Sequence, residues 1–295
     1  MSRKTFGICA YGYRAGDLLA FARAADELGF DAIWLGEHYV IPKSFQSTHP
    51  GMTDGIEHDE EDILSVDIDL PDLWTTVGAM ITSTRRLKIG TAICIVPMLH
   101  PLFVARASVT AHNLSDGRFL LGVGAGWLKE EYEAYQVDFH TRGKALDEAI
   151  DVLRNAWQGG FFSHAGAKLT FGPIQITPRA VSIPLVGAGN SAPALRRVAR
   201  TADAWINSAM IPIDEALRLR SELEAERQRA GTGDRPFTYY LRPPTCSDED
   251  IAPFHANGFD NIVLWGHDIW SPDPTIPVDE KRRKLGETAA RLNIT

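Results

Sequence analysis

Strand-like and helix-like segments alternate eight times along the 295 residues of this chain. The strand-like segments are apolar, and each is followed by a segment whose apolar residues recur at helical spacing. They lie at residues 5–11, 31–35, 87–96, 118–124, 183–188, 204–207, 237–242 and 262–265. Strands too apolar to face water predict a parallel sheet covered by helices. Eight such units favour an α/β fold, a (β/α)8 TIM barrel that forms one domain over residues 1–295. An open doubly wound sheet is the alternative, although its usual glycine fingerprint is absent.

Two segments exceed what a barrel needs. Residues 39–71 form a long connection after the second strand and carry His49, His58 and an acidic run at residues 59–62. Connections of this length are usually functional or disordered, and a solvated lid is favoured here over a metal site. Residues 161–177 alternate apolar and polar side chains around Gly166, which predicts a hairpin outside the barrel, before the fifth strand.

Polar residues mark the predicted starts of two helices. Asp17 stands before an apolar stripe that ends at Gly29, and Thr141 stands before a longer one that runs to about residue 158. Aspartate and threonine are favoured N-caps because their side-chain oxygens accept hydrogen bonds from the first free N–H groups of a helix. We therefore predict that both side chains cap their helices.

Composition and charge exclude several classes of function. A net charge of −8 and scattered basic residues argue against binding to nucleic acid or to an anionic membrane. The first residues enter a strand pattern without a signal peptide, and no apolar stretch is long enough to span a bilayer. We therefore expect a cytoplasmic protein that acts on small molecules. Its three cysteines cannot form a closed set of disulfides, so buried reduced thiols are expected.

The fourth strand ends in glycines at alternate positions. Gly122, Gly124 and Gly126 close an apolar run, and Trp127 follows them. Glycine weakens a strand, so such a series suggests that another backbone or a flat ligand approaches closely, with Trp127 as a wall. The alternative is a strand that packs tightly on a helix. The spacing differs from the dinucleotide-binding fingerprint.

The end of the second strand places a carboxylate beside an imidazole. In a TIM barrel the catalytic groups lie at the C-terminal ends of the strands and in the loops that follow. Glu37 and His38 stand at such an end. Histidine titrates near neutral pH and can pass a proton to a reacting group, so His38 is the first candidate for general acid–base catalysis. An ordinary rim histidine is the alternative.

The fifth strand leads through glycines into a helix. Gly187, Gly189, Asn190 and Ser191 precede a helix that has Pro193 in its first turn. Free N–H groups at a helix start, together with the helix dipole, form an anion site, for which phosphate is the natural ligand. Turn-and-cap chemistry by Asn190 and Ser191 is the alternative.

Other strand ends supply weaker candidates. His100 is expected to cap a helix that begins at Pro101. Arg242 could meet an anion, while Trp265 and Trp270 could line an apolar substrate cleft.

Several motifs are missing from the sequence. It contains no H-E-x-x-H and no G-x-S-x-G, and no strand ends in lysine. These absences give little support to a metallohydrolase, a serine hydrolase or a Schiff-base aldolase. The predicted strand ends carry a series of glycines, a histidine and a candidate phosphate site. Together these features suit a bound planar cofactor.

Taken together, the motifs resemble the luciferase-like monooxygenase superfamily. The resemblance covers about residues 5–210 and is closest to the branch that uses the deazaflavin coenzyme F420. It is carried by Glu37-His38, the third strand from Gly90-Thr91 to Pro97, the glycine series from Asp116 to Trp127, Thr141-Arg142-Gly143, Gly187-Ala188-Gly189 and the run from Ala202 to Trp205.

The resemblance implies a TIM barrel, generally a homodimer, that binds FMN or F420 at the strand C-termini. It places the family's active-site histidine on His38 and a non-proline cis peptide near Ala92 and Ile93. It assigns ring contacts to Gly124, Ala125 and Gly126, and phosphate contacts to Gly189, Asn190 and Ser191. Members that oxidise sugar phosphates carry Glu where this chain has Trp127, so a more apolar substrate is favoured.

We therefore predict an oxidoreductase that transfers hydride between F420 and a small apolar organic substrate. Trp127, Arg242 and Trp265 are the predicted substrate contacts. An FMN-dependent monooxygenase that uses O2 is the first alternative. A barrel that binds a flavin without catalysis is the second.

Overall fold

The computed structural model describes residues 3–49, 64, 68–178 and 182–294. Within this part of the chain, eight parallel strands close into a barrel in the order β1-β2-β3-β5-β8-β9-β10-β11, and β11 pairs again with β1. Those strands are β1 Thr5–Ala10, β2 Ala32–Leu35, β3 Lys88–Thr91, β5 Phe119–Gly124, β8 Leu185–Ala188, β9 Ala204–Ile206, β10 Thr238–Leu241 and β11 Asn261–Trp265. The predicted TIM barrel is confirmed, and the open sheet is excluded.

Helices follow the barrel strands and cover their outer faces. They are α1 Ala15–Leu28, α2 Leu73–Ser83, α3 Pro101–Leu114, α4 Lys129–Ala134, α5 Arg142–Gln158, α6 Ala192–Thr201, α7 Ile213–Arg229, α8 Asp248–Ala256, α9 Gly266–Ile269 and α10 Val278–Arg291. Among the described residues, no helix is both long and apolar enough to cross a bilayer.

The two predicted helix caps were wrong in detail. Helix α1 begins earlier than expected, so Arg14 holds the N-cap position and Asp17 lies in the first turn, 3.2 Å from Nζ of the buried Lys281. Thr141 does hold the N-cap position of α5, but its side chain makes no capping bond. Its hydroxyl donates instead to the Asp138 carbonyl at 3.2 Å. In both cases a tertiary or loop partner uses the polar group that the sequence assigned to a cap.

The third strand is interrupted, whereas the sequence predicted a continuous strand over residues 87–96. After β3, the peptide bond between Ala92 and Ile93 is cis, and the chain resumes as β4 Cys94–Ile95. Strand β4 pairs with the end of β5, where Ile95 lies opposite Gly124. The interruption therefore lies next to the glycine series, at the C-terminal end of the barrel.

The predicted hairpin is confirmed. Strands β6 Phe162–Ala165 and β7 Thr170–Ile174 pair in antiparallel fashion and form a sheet separate from the barrel. All three cysteines, Cys9, Cys94 and Cys246, are buried and free, as expected.

The barrel interior and the layer under the helices form separate apolar clusters. Trp34 is a fully buried member of the interior cluster, and its indole packs edge-on against Tyr240 at 4.7 Å between ring centroids. A Cβ on Gly90 would lie 2.4 Å from the Trp34 ring, and one on Gly7 would lie 2.9 Å from it. These two glycines make room for one large side chain, which fills the barrel below the level of the predicted site.

Candidate functional site at the mouth of the barrel

His38 lies at the mouth of the barrel. Side chains alternate along a strand, and since Ala32 and Trp34 of β2 belong to the interior cluster, the same face continues through Gly36 to His38. The His38 side chain is only 7% exposed, and its Nδ1 lies 3.1 Å from Oε2 of Glu131. Tyr11 and Trp127 contact the imidazole edge-on, with ring centroids 6.3 and 5.7 Å away.

Glu37 belongs to the opposite face of the same segment. Its Oε2 accepts a hydrogen bond from the Ile95 N–H at 3.1 Å, beneath β4. Burial raises the pKa of its carboxyl from 4.5 to about 7, although the Ile95 N–H opposes that shift by favouring the ionised form. The structure thus ties Glu37 to the strand beside it, while His38 faces the mouth. A direct catalytic role for Glu37 stays a prediction.

The chain itself fills the space beside two of the glycines. A Cβ on Gly122 would lie 1.7 Å from the Thr91 carbonyl oxygen, and one on Gly124 would lie 2.6 Å from Cδ1 of Ile93. The Thr91 hydroxyl also donates to the Gly122 carbonyl at 2.6 Å. The sequence left two alternatives for this space, close approach of another backbone or of a flat ligand. The structure supports the first, because residues 91–93 lie where these side chains would be. Ring contacts through the backbone of Gly124 remain a prediction.

The tip of the glycine series is held from outside the barrel. The Tyr132 hydroxyl donates to the Ala125 carbonyl at 2.5 Å, and the Arg142 guanidinium donates through Nε to the Gly126 carbonyl at 3.2 Å. Gly126 has a φ of +67°, which favours glycine at this turn. The two carbonyls at the tip are thus fixed, and the backbone enters Trp127 in a defined direction.

Two small side chains line the upper interior. Ala92, at the cis peptide, and Ala188, at the end of β8, both pack against the interior cluster. Ile93 points to the other side and packs with Tyr132 and Ile95. Ala92 is thus placed at the mouth, whereas the Ile93 side chain is not.

The turn from β8 into α6 leaves the start of this helix uncapped. The Asn190 side chain accepts a hydrogen bond from the Ser208 N–H at 3.0 Å, so it ties the turn to the end of β9. Ser191 is exposed at the N-cap position, and its side chain makes no capping bond. Because neither side chain caps α6, the alternative of simple turn-and-cap chemistry loses its support. Within the described part of the chain, no side chain bonds to the first N–H groups of the helix, so they are available to an anion.

Gly189 and Gly187 serve different purposes in this turn. Gly189 has a φ of +116°, and its carbonyl accepts a hydrogen bond from Nε1 of Trp205 at 3.0 Å. A Cβ on Gly187 would instead lie 2.6 Å from the Val198 side chain of α6. Gly187 therefore lets α6 pack closely on β8. The side of Gly187 where a Cβ would lie faces this helix and not the mouth of the barrel.

The three predicted substrate residues lie around the same opening. Trp127 contacts His38, and Trp265 lies 6.4 Å from the Tyr11 ring between centroids. Arg242, just after β10, approaches the Cys9 thiol, with 3.7 Å from Nη1 to Sγ. Its Nε is buried and has no hydrogen-bond partner among the described residues.

Two other predicted residues lie elsewhere. Trp270 is fully buried and stacks on Phe21 at 4.8 Å, so its expected place in a substrate cleft was wrong. His100 is exposed and accepts the Leu102 N–H through Nδ1 at 3.3 Å, which confirms its role as a cap.

The first part of the long connection at residues 39–71 lies against the site. The rings of Phe45 and His49 pack edge-on against Trp127, at 5.9 and 5.1 Å between centroids. His58 and the acidic run at residues 59–62 lie outside the described residues. The first part of this connection therefore covers Trp127, as expected of a loop over the site.

Sequence reasoning missed Glu131 and the helix that carries it. Helix α4 has only six residues, and its first turn contains Glu130 and Glu131. The available signal was a run of good helix formers directly after Trp127, with two acidic residues where the helix dipole favours them. Nothing in the sequence marked Glu131 as buried or as a partner of His38.

Comparison with known proteins decides the family. The model of the luciferase-like monooxygenase family matches residues 6–293, nearly the whole chain. The chain belongs to the luciferase-like monooxygenase family. The cis peptide that the family resemblance placed near Ala92 and Ile93 is present between these two residues.

Individual relatives and solved structures show the range of similarity. An uncharacterized protein of Mycobacterium tuberculosis is 31% identical over 216 residues, 72% of this chain and 75% of that protein. The F420-dependent hydroxymycolic acid dehydrogenase of the same organism is 26% identical over 263 residues, 88% of this chain and 64% of that enzyme. The coenzyme F420-dependent tetrahydromethanopterin reductase of Methanopyrus kandleri has the same fold, with a TM-score of 0.73, 12% identity and full coverage of both chains.

Proposed function

We propose that this member of the luciferase-like family is an oxidoreductase that binds coenzyme F420 at the barrel mouth and exchanges hydride between it and a small organic substrate. The observation that carries the proposal is the convergence of His38, Trp127, Arg242 and Trp265 on one opening, at the same barrel end as the uncapped start of α6. Similarity to an F420-dependent dehydrogenase over 88% of the chain supports this choice of cofactor.

The described residues fit a tricyclic ring with a phosphate tail. Ala92 and Ala188 give the upper interior a floor of small side chains, and α6 offers its free N–H groups to the phosphate. Arg242 carries a buried Nε without a partner among the described residues, as expected of a group that waits for a ligand. When bound, the deazaflavin supplies a carbon that takes or gives hydride.

The side chains at the mouth divide the remaining work. His38 gives or takes the proton on the substrate oxygen as hydride moves. Trp127 and Trp265 form apolar walls that exclude water, and Arg242 meets a polar or charged group of the substrate. These walls favour a substrate with an apolar body.

Separate titrations with F420 and with FMN test the cofactor. We expect micromolar binding of F420 by fluorescence and weaker binding of FMN. Because FMN also offers a tricyclic ring and a phosphate, tighter binding of FMN would favour the monooxygenase alternative. Binding of neither would reject the proposal.

A charge placed at the start of α6 tests the phosphate site. Ser191→Asp should weaken F420 binding about tenfold, because the added carboxylate would repel the phosphate. Two like charges a few ångströms apart in water cost on the order of 1 kcal/mol. Ser163→Asp, on an exposed position of the hairpin strand β6, is the matched control and should leave binding unchanged. Equal binding by both variants would place the phosphate elsewhere.

Substitution of His38 tests its part in the reaction. His38→Asn should lower turnover by about 10²- to 10⁴-fold, the usual contribution of a general acid–base, while F420 binding changes little. Reoxidation of the reduced cofactor by a panel of carbonyl compounds, with and without air, gives the rates. A parallel loss of binding and turnover would assign His38 to the scaffold, and reoxidation that requires air would favour the monooxygenase. If the wild-type protein binds the cofactor but turns over none of the substrates, the alternative of a barrel that binds a flavin without catalysis is favoured.

A further inference from the structure

Glu131 is a fully buried carboxylate that the proposed reaction has not used. It is 0% exposed, although it stands in a helix whose neighbouring positions Glu130 and Glu133 are at least partly exposed. Its Oε2 lies 3.1 Å from Nδ1 of His38, and its Oε1 accepts the backbone N–H of Tyr39. Both oxygens thus contact two consecutive residues, His38 and Tyr39, in the segment that follows β2.

The burial of Glu131 determines which groups donate and which accept in these two contacts. A carboxylate removed from water is costly unless hydrogen bonds satisfy both of its oxygens. The Tyr39 N–H can only donate, so Oε1 must accept. A donor at Oε2 completes the set, and Nδ1 of His38 is the group in place to supply it.

Because Nδ1 of His38 contacts Glu131, Nε2 is the nitrogen of the imidazole that is left for another partner. Among the described residues, no hydrogen bond reaches Nε2 of His38. Tyr11 and Trp127 contact the imidazole as near-perpendicular rings, with interplanar angles of 76° and 85°. In a neutral imidazole, one nitrogen carries the proton and the other carries the lone pair.

We propose that Glu131 is a positioning residue that holds the proton of neutral His38 on Nδ1 and so presents an unprotonated Nε2 to the barrel mouth. The role of Nε2 as the base that accepts a substrate proton rests on the proposed function; the tautomer itself does not. Glu131 touches neither substrate nor cofactor in this scheme. It acts through the orientation of the imidazole.

The chain contains a second histidine–glutamate pair with the opposite geometry. His164, in the hairpin, contacts Glu148 of α5 through Nε2, at 3.1 Å from Oε1. The two side chains are 13% and 12% exposed, so this pair is partly buried as well. The same reasoning therefore predicts the proton of neutral His164 on Nε2, which makes this pair an internal reference.

Nitrogen NMR on the unliganded wild-type protein with labelled histidines gives the first test. In the neutral form, His38 should show a protonated Nδ1 and an unprotonated Nε2, and His164 should show the reverse. His38→Asn and His164→Asn assign the two sets of signals. A protonated Nε2 on neutral His38 would overturn the proposal, whatever cofactor the protein binds.

Glu131→Gln gives the second test, since it keeps the shape of the side chain but offers an amide to the ring. We expect a mixed or reversed tautomer at His38. For oxidation of the substrate by F420, in which His38 accepts the proton, kcat should fall about 10²- to 10⁴-fold, with KM and F420 binding within about twofold. Glu148→Gln breaks the other pair and should leave turnover unchanged. Glu131→Asp, which keeps the charge, should restore part of the lost rate.

The outcomes separate the two proposals. If Glu131→Gln does not fold, the wild-type spectrum still decides the tautomer. An unchanged His38 tautomer in a folded Glu131→Gln would reduce Glu131 to a structural link between α4 and β2. The predicted tautomer in a protein that binds neither F420 nor FMN would retain the positioning role and reject the proposed function.

Discussion

At the scale of single residues, the mouth of the barrel depends on the alternation of side chains along one short segment. His38 and Glu37 are neighbours in sequence, yet one faces the opening and the other lies beneath β4. Because the side-chain period in an extended chain is two, adjacent residues cannot share a face. A pair that looked like one catalytic unit in the sequence is therefore divided between two environments.

The buried carboxyl of Glu37 predicts a pH effect on stability. Its pKa is raised by burial from 4.5 to about 7, so the folded protein holds this proton more tightly than the unfolded chain. The resulting stabilisation is present below pH 4.5 and is lost as the pH rises through about 7. Glu37→Gln cannot ionise. Its free energy of unfolding should therefore rise relative to that of the wild type across this pH range, by about 1–3 kcal/mol.

Urea unfolding at several pH values measures this gain. Glu249→Gln, at an exposed position, is the control and should show no such trend. A constant difference between wild type and Glu37→Gln over the range would show that Glu37 ionises normally.

At the scale of elements, the barrel depends on contacts that join one element to the start of another that is distant in sequence. The Asp26 carboxylate near the end of α1 accepts backbone N–H groups from Arg85, Arg86 and Leu87, at 2.6–2.9 Å. These residues lead into β3. One buried side chain thus fixes the entry of a strand that lies about sixty positions away in sequence.

Loss of the Asp26 charge should destabilise the protein in a pH-dependent way. Burial favours the neutral acid, but the three backbone hydrogen bonds outweigh it and hold the pKa below 3.8. The stabilisation is therefore present above the unfolded pKa and is lost as the pH falls through the lowered value. Asp26→Asn should cost about 1–3 kcal/mol at pH 7, and less in acid.

Urea unfolding at pH 7 and at about pH 3, below the unfolded pKa of the carboxyl, checks this expectation. Asp234→Asn, at an exposed position, serves as the matched control. An equal loss of stability at both pH values would show that shape, and not charge, carries the contribution of Asp26.

The glycine series of β5 predicts a packing effect. Gly122→Ala places a Cβ 1.7 Å from the Thr91 carbonyl oxygen, so the two strands must separate. We expect a loss of about 3 kcal/mol or more, at the upper end of the range for overpacking. Gly78→Ala in α2 meets nothing within 4 Å and should stabilise the protein by up to about 1 kcal/mol.

Thermal unfolding of the two glycine variants gives the comparison. A Gly122→Ala protein as stable as the wild type would show that the strands can separate without cost. The ligand explanation of the glycine series would then regain support.

At the scale of the whole molecule, the two ends of the chain close the barrel. Strand β1 pairs with β11 over five residues, from Thr5 opposite Asn261 to Cys9 opposite Trp265. Neither half of the sheet is complete without the other. A single domain over residues 1–295 and a homodimer both stay predictions, and sedimentation would measure the second.

Closure of the sheet predicts one cooperative unfolding transition. Tryptophan fluorescence follows the seven tryptophans of the chain, with Trp34 inside the barrel among them, and far-UV circular dichroism follows the helices. The two signals should change at the same urea concentration, because the interior and the outer layer depend on the same strands. Separate midpoints would show two units of independent stability.

Much of the architecture was determined by local pattern. Alternating apolar strands and amphipathic helices are recorded in the spacing of residues, because a strand or a helix must bury one face whatever its partner is. The eight barrel strands and the hairpin were therefore predictable, as was the placement of His38, Trp127 and the turn at Asn190 at one end of the barrel. The caps at Asp17 and Thr141 were not, because tertiary and loop partners compete for polar groups.

What only the tertiary structure decided is which groups meet at the mouth. His38 and Glu131 are 93 positions apart, and no periodicity links them. The space left by Gly122 and Gly124 is filled by the chain itself, and this follows from the path of residues 91–93. Hydrophobic spacing is a property of one segment, whereas the partner of a buried polar group depends on where a distant segment arrives, and the closed barrel determines that arrival.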